Sequence, residues 1–413
     1  MWKARLSELE FNDQELAAVL ETINSEWITA GPRTQSFEKK FAQLIGVKEA
    51  VAVSNGTAAL FLALKAAGIG PGSEVLCPSI TFVATAAAVI QCGGRPVFVD
   101  IVSLENPTMC PEDAARKITP RTKAILPVHY AGIPAEMDAL SALASAHGLK
   151  LIEDAAHSPG AYYRGRACGS FGTAGCFSFF GNKNIATAEG GMITTNNPDV
   201  AARLRSLRSH GMTVTSWDRE KGRPSHYDLT EVGFNFRFDD IRAALGLVQL
   251  EKLEKMNRQR GQLVQRYNDQ FARAGIDITL PFAAVGPEKD PAYHIYPVLF
   301  GDSQERDSIG EMLKAEGIQT SLHYTPVHQF SAFQKLTPNV HLPLTEAFAS
   351  RELTLPLYPS LSEAQVDTIV STVVHCYAST HEHYQQRVLP WQTRTGDGRT
   401  GVSWTTRRPG PAQ

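Results

Sequence analysis

The sequence predicts an α/β protein built on a largely parallel sheet covered by helices on both faces, and three observations carry that prediction. Short apolar, β-branched runs alternate with longer helical stretches through the first half of the chain. Segments of that length between runs imply crossover connections rather than hairpins. A hydrophobic fraction of 43% and a charged fraction of 20% over 413 residues supply a sizeable core and exclude a disordered chain.

In chain order, Val51–Val53 reads as the first strand and the stretch from Thr57 to Ala67 as a helix. Pro96–Val99 follows a second helix, and Ala124–Val128 a third. The helix Ala135–His147 leads into a strand over Leu149–Asp154, and Cys176–Phe180 and Met192–Thr195 complete the series. After the Asp239-Asp240 pair a long helix runs from Ile241 to about Phe271, with Leu247, Leu250 and Leu253 on one face. Then the texture changes. Tyr296–Phe300 and Ile318–Leu322 read as strands around a helix over Arg306–Glu316, the pattern of a smaller α+β domain. The chain thus divides into an N-terminal arm (1–30), a large domain (31–250), a linking helix with a small C-terminal domain (251–380) and a tail (381–413). The tail is rich in Gly, Pro, Thr and Arg, without periodicity, and is expected to be flexible.

Lys and Arg number 40 against 42 Asp and Glu, a net charge of −2, so nothing electrostatic points to nucleic acid or an acidic membrane. No run reaches the roughly 18 apolar residues of a membrane span. Lys3, Arg5 and Glu8 stand where a secretory signal needs an apolar core. The six cysteines are scattered, with no CxxC pair, which suits reduced thiols and gives no metal site. A soluble, cytoplasmic protein is expected.

Four features bear on chemistry. Ser54-Asn55-Gly56-Thr57 lies between a strand and a helix, where free backbone N–H groups, a glycine and a hydroxyl suit a phosphate. By itself, a plain helix cap at Asn55 or Thr57 explains it better. No GxGxxG or Walker pattern follows a strand, so dinucleotide and P-loop readings lack support. Glu153-Asp154 closes a strand at the sheet edge where α/β folds bind ligands; a helix-capping Asp is the ordinary alternative. Lys183 follows the apolar run ending at Phe180 and precedes Glu189-Gly190-Gly191; a lone lysine is otherwise a surface residue. Gly233-Phe-Asn235-Phe-Arg237 is a polar and aromatic mixture that a helix entry loop would also explain.

Together they describe one chemistry. A phosphate cradle, a carboxylate at one strand end and a lysine at another are what pyridoxal 5′-phosphate requires, the lysine as Schiff-base partner and Asp154 as holder of the pyridine nitrogen proton. Phe82 is the candidate to cover the ring face.

The chain resembles the DegT–StrS family of pyridoxal-phosphate aminotransferases from about Ala30 to about Leu361. The likeness is carried by Ser54–Thr57, Pro78–Thr85, Pro127–Gly132, Glu153–His157, Phe177–Asn184, Glu189–Gly191, Gly233–Arg237 and Leu355–Tyr358. The resemblance implies a fold-type-I transferase that works as a homodimer with its active site at the interface. It implies that Lys183 joins the cofactor and shuttles the proton, that Asp154 pairs with the ring nitrogen, and that Gly56, Thr57 and Ser178 hold the phosphate. Phe82 would stack on the ring, and His157, where many members have Gln, would lie near the ring hydroxyl. Asn235 would reach the neighbouring subunit's phosphate. Tyr324 and His328 would touch substrate, although a small-domain core or turn explains those two equally well. The implied reaction takes an amino group from L-glutamate to a nucleotide-linked keto sugar in a ping-pong cycle. A cyclitol or other ring ketone is the alternative acceptor, and a non-catalytic regulatory homologue the alternative class. Lys183 argues against the related dehydratases, which carry His in its place.

Overall fold

The computed structural model describes residues 2–222 and 226–388, so most of the tail expected over 381–413 lies outside the described residues. Its strands are β1 (Glu49–Val53), β2 (Glu74–Pro78), β3 (Arg95–Val99), β4 (Thr122–Ile125), β5 (Lys150–Asp154), β6 (Tyr162–Tyr163), β7 (Arg166–Ala167), β8 (Ala174–Ser178), β9 (Gly191–Thr195), β10 (Lys289–Asp290), β11 (Tyr296–Leu299) and β12 (Glu352–Leu355). Seven form the main sheet, in the order β1-β9-β8-β5-β4-β2-β3. From β3 to β8 neighbours run parallel, and β9 alone opposes both β8 and β1.

The pleat sorts side chains between two cores. Val51, Val53, Val75, Cys77, Ala124, Ile152 and Ile193 face the helices Gly56–Ala66, Ala84–Gln91 and Pro198–Leu207. Their neighbours Ala50, Ala52, Phe177 and Met192 face Pro32–Ile45 and the start of the long helix, while Leu76, Ile125 and Leu151 face Met137–Ala146. The sheet is thus covered on both sides, as the strand spacing predicts.

Two elements differ from the sequence reading. β2 was not recognised, because Val75-Leu76-Cys77 offers only three apolar residues between Glu74 and Pro78. The stretch Ile318–Leu322 is not a strand. It makes isolated bridges, Ile318 with Ala4 and Ser321 with Thr354, and the antiparallel partner of β11 is β12, paired Tyr296 to Leu355. β12 follows the helix Pro343–Arg351 directly, with no turn residue to mark its start.

The long helix spans Asp240–Ala274, capped by the Asp239 carboxylate, which accepts from the Arg242 amide at 2.9 Å, and ended by left-handed Gly275 at φ 64°. Ala243 and Leu253 pack under the main sheet, whereas Leu263, Val264, Tyr267 and Phe271 enter a second core. That core also holds β11, β12 and the helices Ser303–Ala315 and Glu363–Val388. The N-terminal residues touch both the first half of the long helix and the segment after Ser303–Ala315. Lys3 and Leu6 bond Gly317 and Gln319, and buried Glu15 accepts from Gln249 and Lys252 at 2.8 and 2.7 Å. No helix among the described residues is long and apolar enough to cross a membrane.

Asp240, at the first turn of the long helix, fixes the start of the helix Pro32–Ile45. Its buried carboxylate accepts from the amides of Gly31, Arg33 and Thr34 and from the Thr34 hydroxyl, all within 3.0 Å. It therefore caps the helix Pro32–Ile45 from outside. Asp240→Ala strands these donors, and we expect a stability loss of about 3 kcal/mol, read as a lower midpoint in urea unfolding. An unchanged midpoint would remove Asp240 from the account.

Candidate active site

A cleft of about 980 Å³ opens beyond the carboxyl ends of β5 and β8, where parallel sheets bind their ligands. Of the residues expected at the site, Gly56, Thr57, Phe82, Asp154, His157, Ser178, Lys183 and Tyr324 line it. Asn235 and His328 do not.

The turn after β1 builds one end. Asn55 caps the helix Gly56–Ala66 by accepting from the Ala58 amide at 2.8 Å, so the plain-cap explanation is correct as far as it goes. Capping one amide leaves those of Gly56 and Thr57 at the positive end of the helix without an intrahelical partner. The packing requires glycine. A Cβ on Gly56 would stand 2.8 Å from the Ser178 Cβ, and one on Gly191 2.4 Å from the Asn55 carbonyl oxygen. Arg242 fixes the turn from the long helix by donating to the Ser54 carbonyl at 3.1 Å.

The two carboxylates ending β5 point to opposite faces and do different work. Glu153 accepts from the amides of Gly169, Phe171 and Gly172 at 2.7–3.1 Å and from His129 at 3.2 Å, which latches a loop. Asp154 faces the cleft. Thr85 donates to it at 2.7 Å, having itself the Thr81 hydroxyl at 2.7 Å, and the Ala156 amide donates at 3.2 Å. Burial pushes the Asp154 carboxyl up, against those hydrogen bonds and the charge of Lys183.

Lys183 lies across the same cleft. Burial brings its ammonium down to about 8, with the Asp154 charge pulling the other way. Its Nζ is 3.3 Å from Nε2 of His294. His157 packs against that imidazole at 4.3 Å, tilted by 42°, and shares a 3.0 Å hydrogen bond between its Nε2 and the Tyr324 hydroxyl. Its Nδ1 is buried with no hydrogen-bond partner among the described residues. Burial, then the charges of Lys183 and His323, holds His157 well below the usual imidazole range. Phe82 is 57% exposed on the cleft wall, 6.2 Å from the Tyr324 ring.

The stretch Gly233–Arg237 runs beside the Ser54 turn, the Ser54 amide donating to the Phe236 carbonyl at 2.9 Å. Phe234 and Phe236 stack on each other and line the cleft, whereas Asn235, between them in the extended chain, is exposed and turned away. His328 is placed elsewhere. Its buried ring bonds Ser79 at 2.8 Å through Nδ1 and Glu346 at 3.2 Å through Nε2, tying the turn after β2 to the helix Pro343–Arg351. His294, Thr81, Thr85 and His323 were not singled out from the sequence. Thr81 and Thr85 fall inside the Pro78–Thr85 block, but His294 stands alone in an unremarkable loop.

These residues fit pyridoxal phosphate. The orphaned Nδ1 of His157 offers a polar partner inside the cleft, the Gly56 turn is a cradle that a Cβ would fill, and Asp154 is a desolvated acceptor opposite a lysine of lowered basicity. The fold is that of the fold-type-I transferases. The chain belongs to the DegT/DnrJ/EryC1/StrS aminotransferase family, whose model matches residues 10–374. Among solved structures it is similar to DesV of S. venezuelae, determined with a ketimine intermediate, at 37% identity and a TM-score of 0.80 over 88% of this chain and 94% of that one. It is similar to Helicobacter pylori PseC, an aminotransferase of pseudoaminic acid biosynthesis, at 30% identity and 0.85 over 91% and 99%. The PLP form of Spr1654 from Streptococcus pneumoniae gives 30% identity and 0.84 over 91% and 98%.

Proposed function

We propose that this aminotransferase moves an amino group from L-glutamate to a nucleotide-linked keto sugar in two half-reactions, using pyridoxal phosphate. The observation that carries this reading is a half-buried lysine of lowered basicity and a buried carboxylate on the walls of one cleft, with a helix N-terminus at its end. Pyridoxal phosphate, when bound, supplies an aldehyde for the amino group and a ring that accepts the electron pair released at the substrate Cα.

Lys183 Nζ takes the proton from the donor Cα and returns a proton in the second half-reaction, where the keto sugar leaves as an amino sugar. Asp154 would hold a proton at the ring nitrogen. Gly56 and Thr57 amides with Ser178 would hold the phosphate, His157 Nδ1 would bond the ring hydroxyl, and Phe82 would cover a ring face. The width of the cleft and its aromatic wall of Phe82, Phe234, Phe236 and Tyr324 support a ring-shaped acceptor.

The enzyme acts as a homodimer with a shared site. In support, Leu16, Leu20 and Ile23 form an apolar stripe at helical spacing on the exposed face of Asp13–Asn24, and Val232 beside Asn235 is 88% exposed. We place it in the cytoplasm, in keeping with its six free cysteines. The large and small domains meet at the long helix, which serves both cores.

The test is the absorption spectrum of the purified protein, loaded with pyridoxal phosphate, before and after L-glutamate. The expected result is a visible band that disappears with L-glutamate and returns when nucleotide-linked keto sugars are added one by one. A protein that stays colourless with the cofactor overturns the reading. Recovery of the band with cyclitol-type ketones but with no sugar moves the substrate to the other ring class.

A further inference from the structure

We propose that His294 is the positioning residue of Lys183, holding its amine through an Nε2 lone pair whose availability is dictated by a chain of buried amides. The inference rests on Lys183 as the reacting lysine.

The chain starts at a backbone carbonyl. Pro159 O can only accept, and it faces Nδ2 of Asn257 at 3.0 Å. That orientation turns Oδ1 of Asn257 toward Nδ2 of Asn184 at 2.9 Å. Asn184 Nδ2 also donates to the Ala292 carbonyl at 2.7 Å, so both its protons are committed. Its Oδ1 therefore accepts, and the atom facing it at 3.0 Å is His294 Nδ1, which must carry the ring proton. A neutral imidazole protonated at Nδ1 presents a bare lone pair at Nε2, and that atom lies 3.3 Å from Lys183 Nζ. Reversing either amide would set oxygen against oxygen at a buried contact.

The geometry is held at both ends. Asn184 is the residue after Lys183, so its grip on the ring is also a grip on the lysine backbone. His294 is fixed by its own amide, which donates to the Ala131 carbonyl at 2.9 Å, and Ala292 donates to Gly132 at 3.0 Å. Asn184, Asn257 and His294 are all at most 9% exposed, so no solvent competes for these bonds. Lys183 is surrounded by Asp154, His157, His294 and His323, and His294 in turn by Lys183, His157, Arg260 and His323. A ring protonated on both nitrogens would meet four cations or potential cations and lose its acceptor. The neutral ring can instead take one N–H of the amine and keep Nζ facing the cleft.

The roles of the two ring nitrogens separate by substitution. His294→Gln can place an acceptor where Nε2 stands; His294→Asn can place a donor where Nδ1 stands but reaches no further. The measurement is the rate of reductive methylation of Lys183 in the cofactor-free protein as a function of pH, read site by site by mass spectrometry, with circular dichroism for folding. The wild-type profile should have its midpoint at about 8. Loss of the acceptor in His294→Asn removes a hydrogen bond that favours the ammonium, and should lower the midpoint by about one unit; His294→Gln should restore it. Equal profiles for wild type and His294→Asn, or rescue by Asn rather than Gln, overturn the proposal. A second measurement needs no variant: ¹⁵N NMR of histidine-labelled wild type should show His294 protonated at Nδ1, and protonation at Nε2 overturns the chain outright. Neither readout uses a substrate. Should no keto sugar be aminated while both results hold, the proposed reaction fails and the positioning role stands.

Discussion

Replacing Lys183 by alanine is expected to lower turnover by about 10⁴-fold or more while leaving the fold intact. Among the described residues Lys183 is the one lysine on the cleft wall, and no arginine lines it. The neighbouring histidines are poor substitutes, because His157 Nε2 is engaged with Tyr324 and burial holds the basicity of His294 well below the usual imidazole range. The basicity matters as much as the place. With its midpoint near 8 instead of 10.5, about a quarter of the amine is free at pH 7.5, roughly two orders of magnitude more than for a solvated lysine. The proton-transfer step needs the free amine, so its rate should rise with pH and level off above about 8. Stopped-flow measurement of the L-glutamate half-reaction against pH checks both points. Near wild-type transfer by Lys183→Ala would sink the assignment. A profile still rising steeply at pH 10 would instead mean that the lysine is solvated during the reaction.

The fold was legible wherever periodicity was long. Alternating strands and helices from Val51 to Thr195 identify a doubly covered parallel sheet, because each crossover needs a helix and each buried strand an apolar run. What escaped was short or context-dependent. β2 exposes too few apolar letters to be seen, and its burial on both faces appears only when its neighbours are in place. The segment Ile318–Leu322 has strand composition but pairs only through single bridges, because β12 already occupies the edge of β11.

The site was legible to the extent that its residues sit at strand ends or helix starts. Asp154, Ser178 and Gly56 could be placed by topology alone, and Lys183 by its nearness to β8. Roles that depend on tertiary approach could not. His328 and His294 look alike as letters, yet one braces Ser79 and Glu346 while the other touches Lys183 from 111 residues away. Glu153 and Asp154 are adjacent carboxylates, and only the alternation of β5 tells the latch from the residue facing the cleft. Asn235 turns away from this chain's cleft between two phenylalanines that face it, a placement that the letters alone do not reveal.

Asp154→Asn should cost about 10³-fold in the half-reaction with little change in stability, since the amide matches the carboxylate in size but carries no charge. A carboxylate 5% exposed is poorly solvated, so its negative charge is available to a ring N–H⁺ in a way that a surface aspartate's is not. Thr85 keeps that charge in place. Its proton goes to Asp154, and Thr81 in turn donates to the Thr85 oxygen, so the two hydroxyls form a one-way relay into the carboxylate. Thr85→Val removes a hydrogen bond to a charged group, worth about 1.5–3 kcal/mol, and should slow the half-reaction by about tenfold or more. Because Thr85 acts only through Asp154, adding Thr85→Val to Asp154→Asn should cost far less than it does in the wild type. Measuring all four proteins with L-glutamate closes the cycle. If Thr85→Val costs as much in the Asp154→Asn background as alone, Thr85 acts on the fold, and the carboxylate is oriented by the Ala156 amide without it.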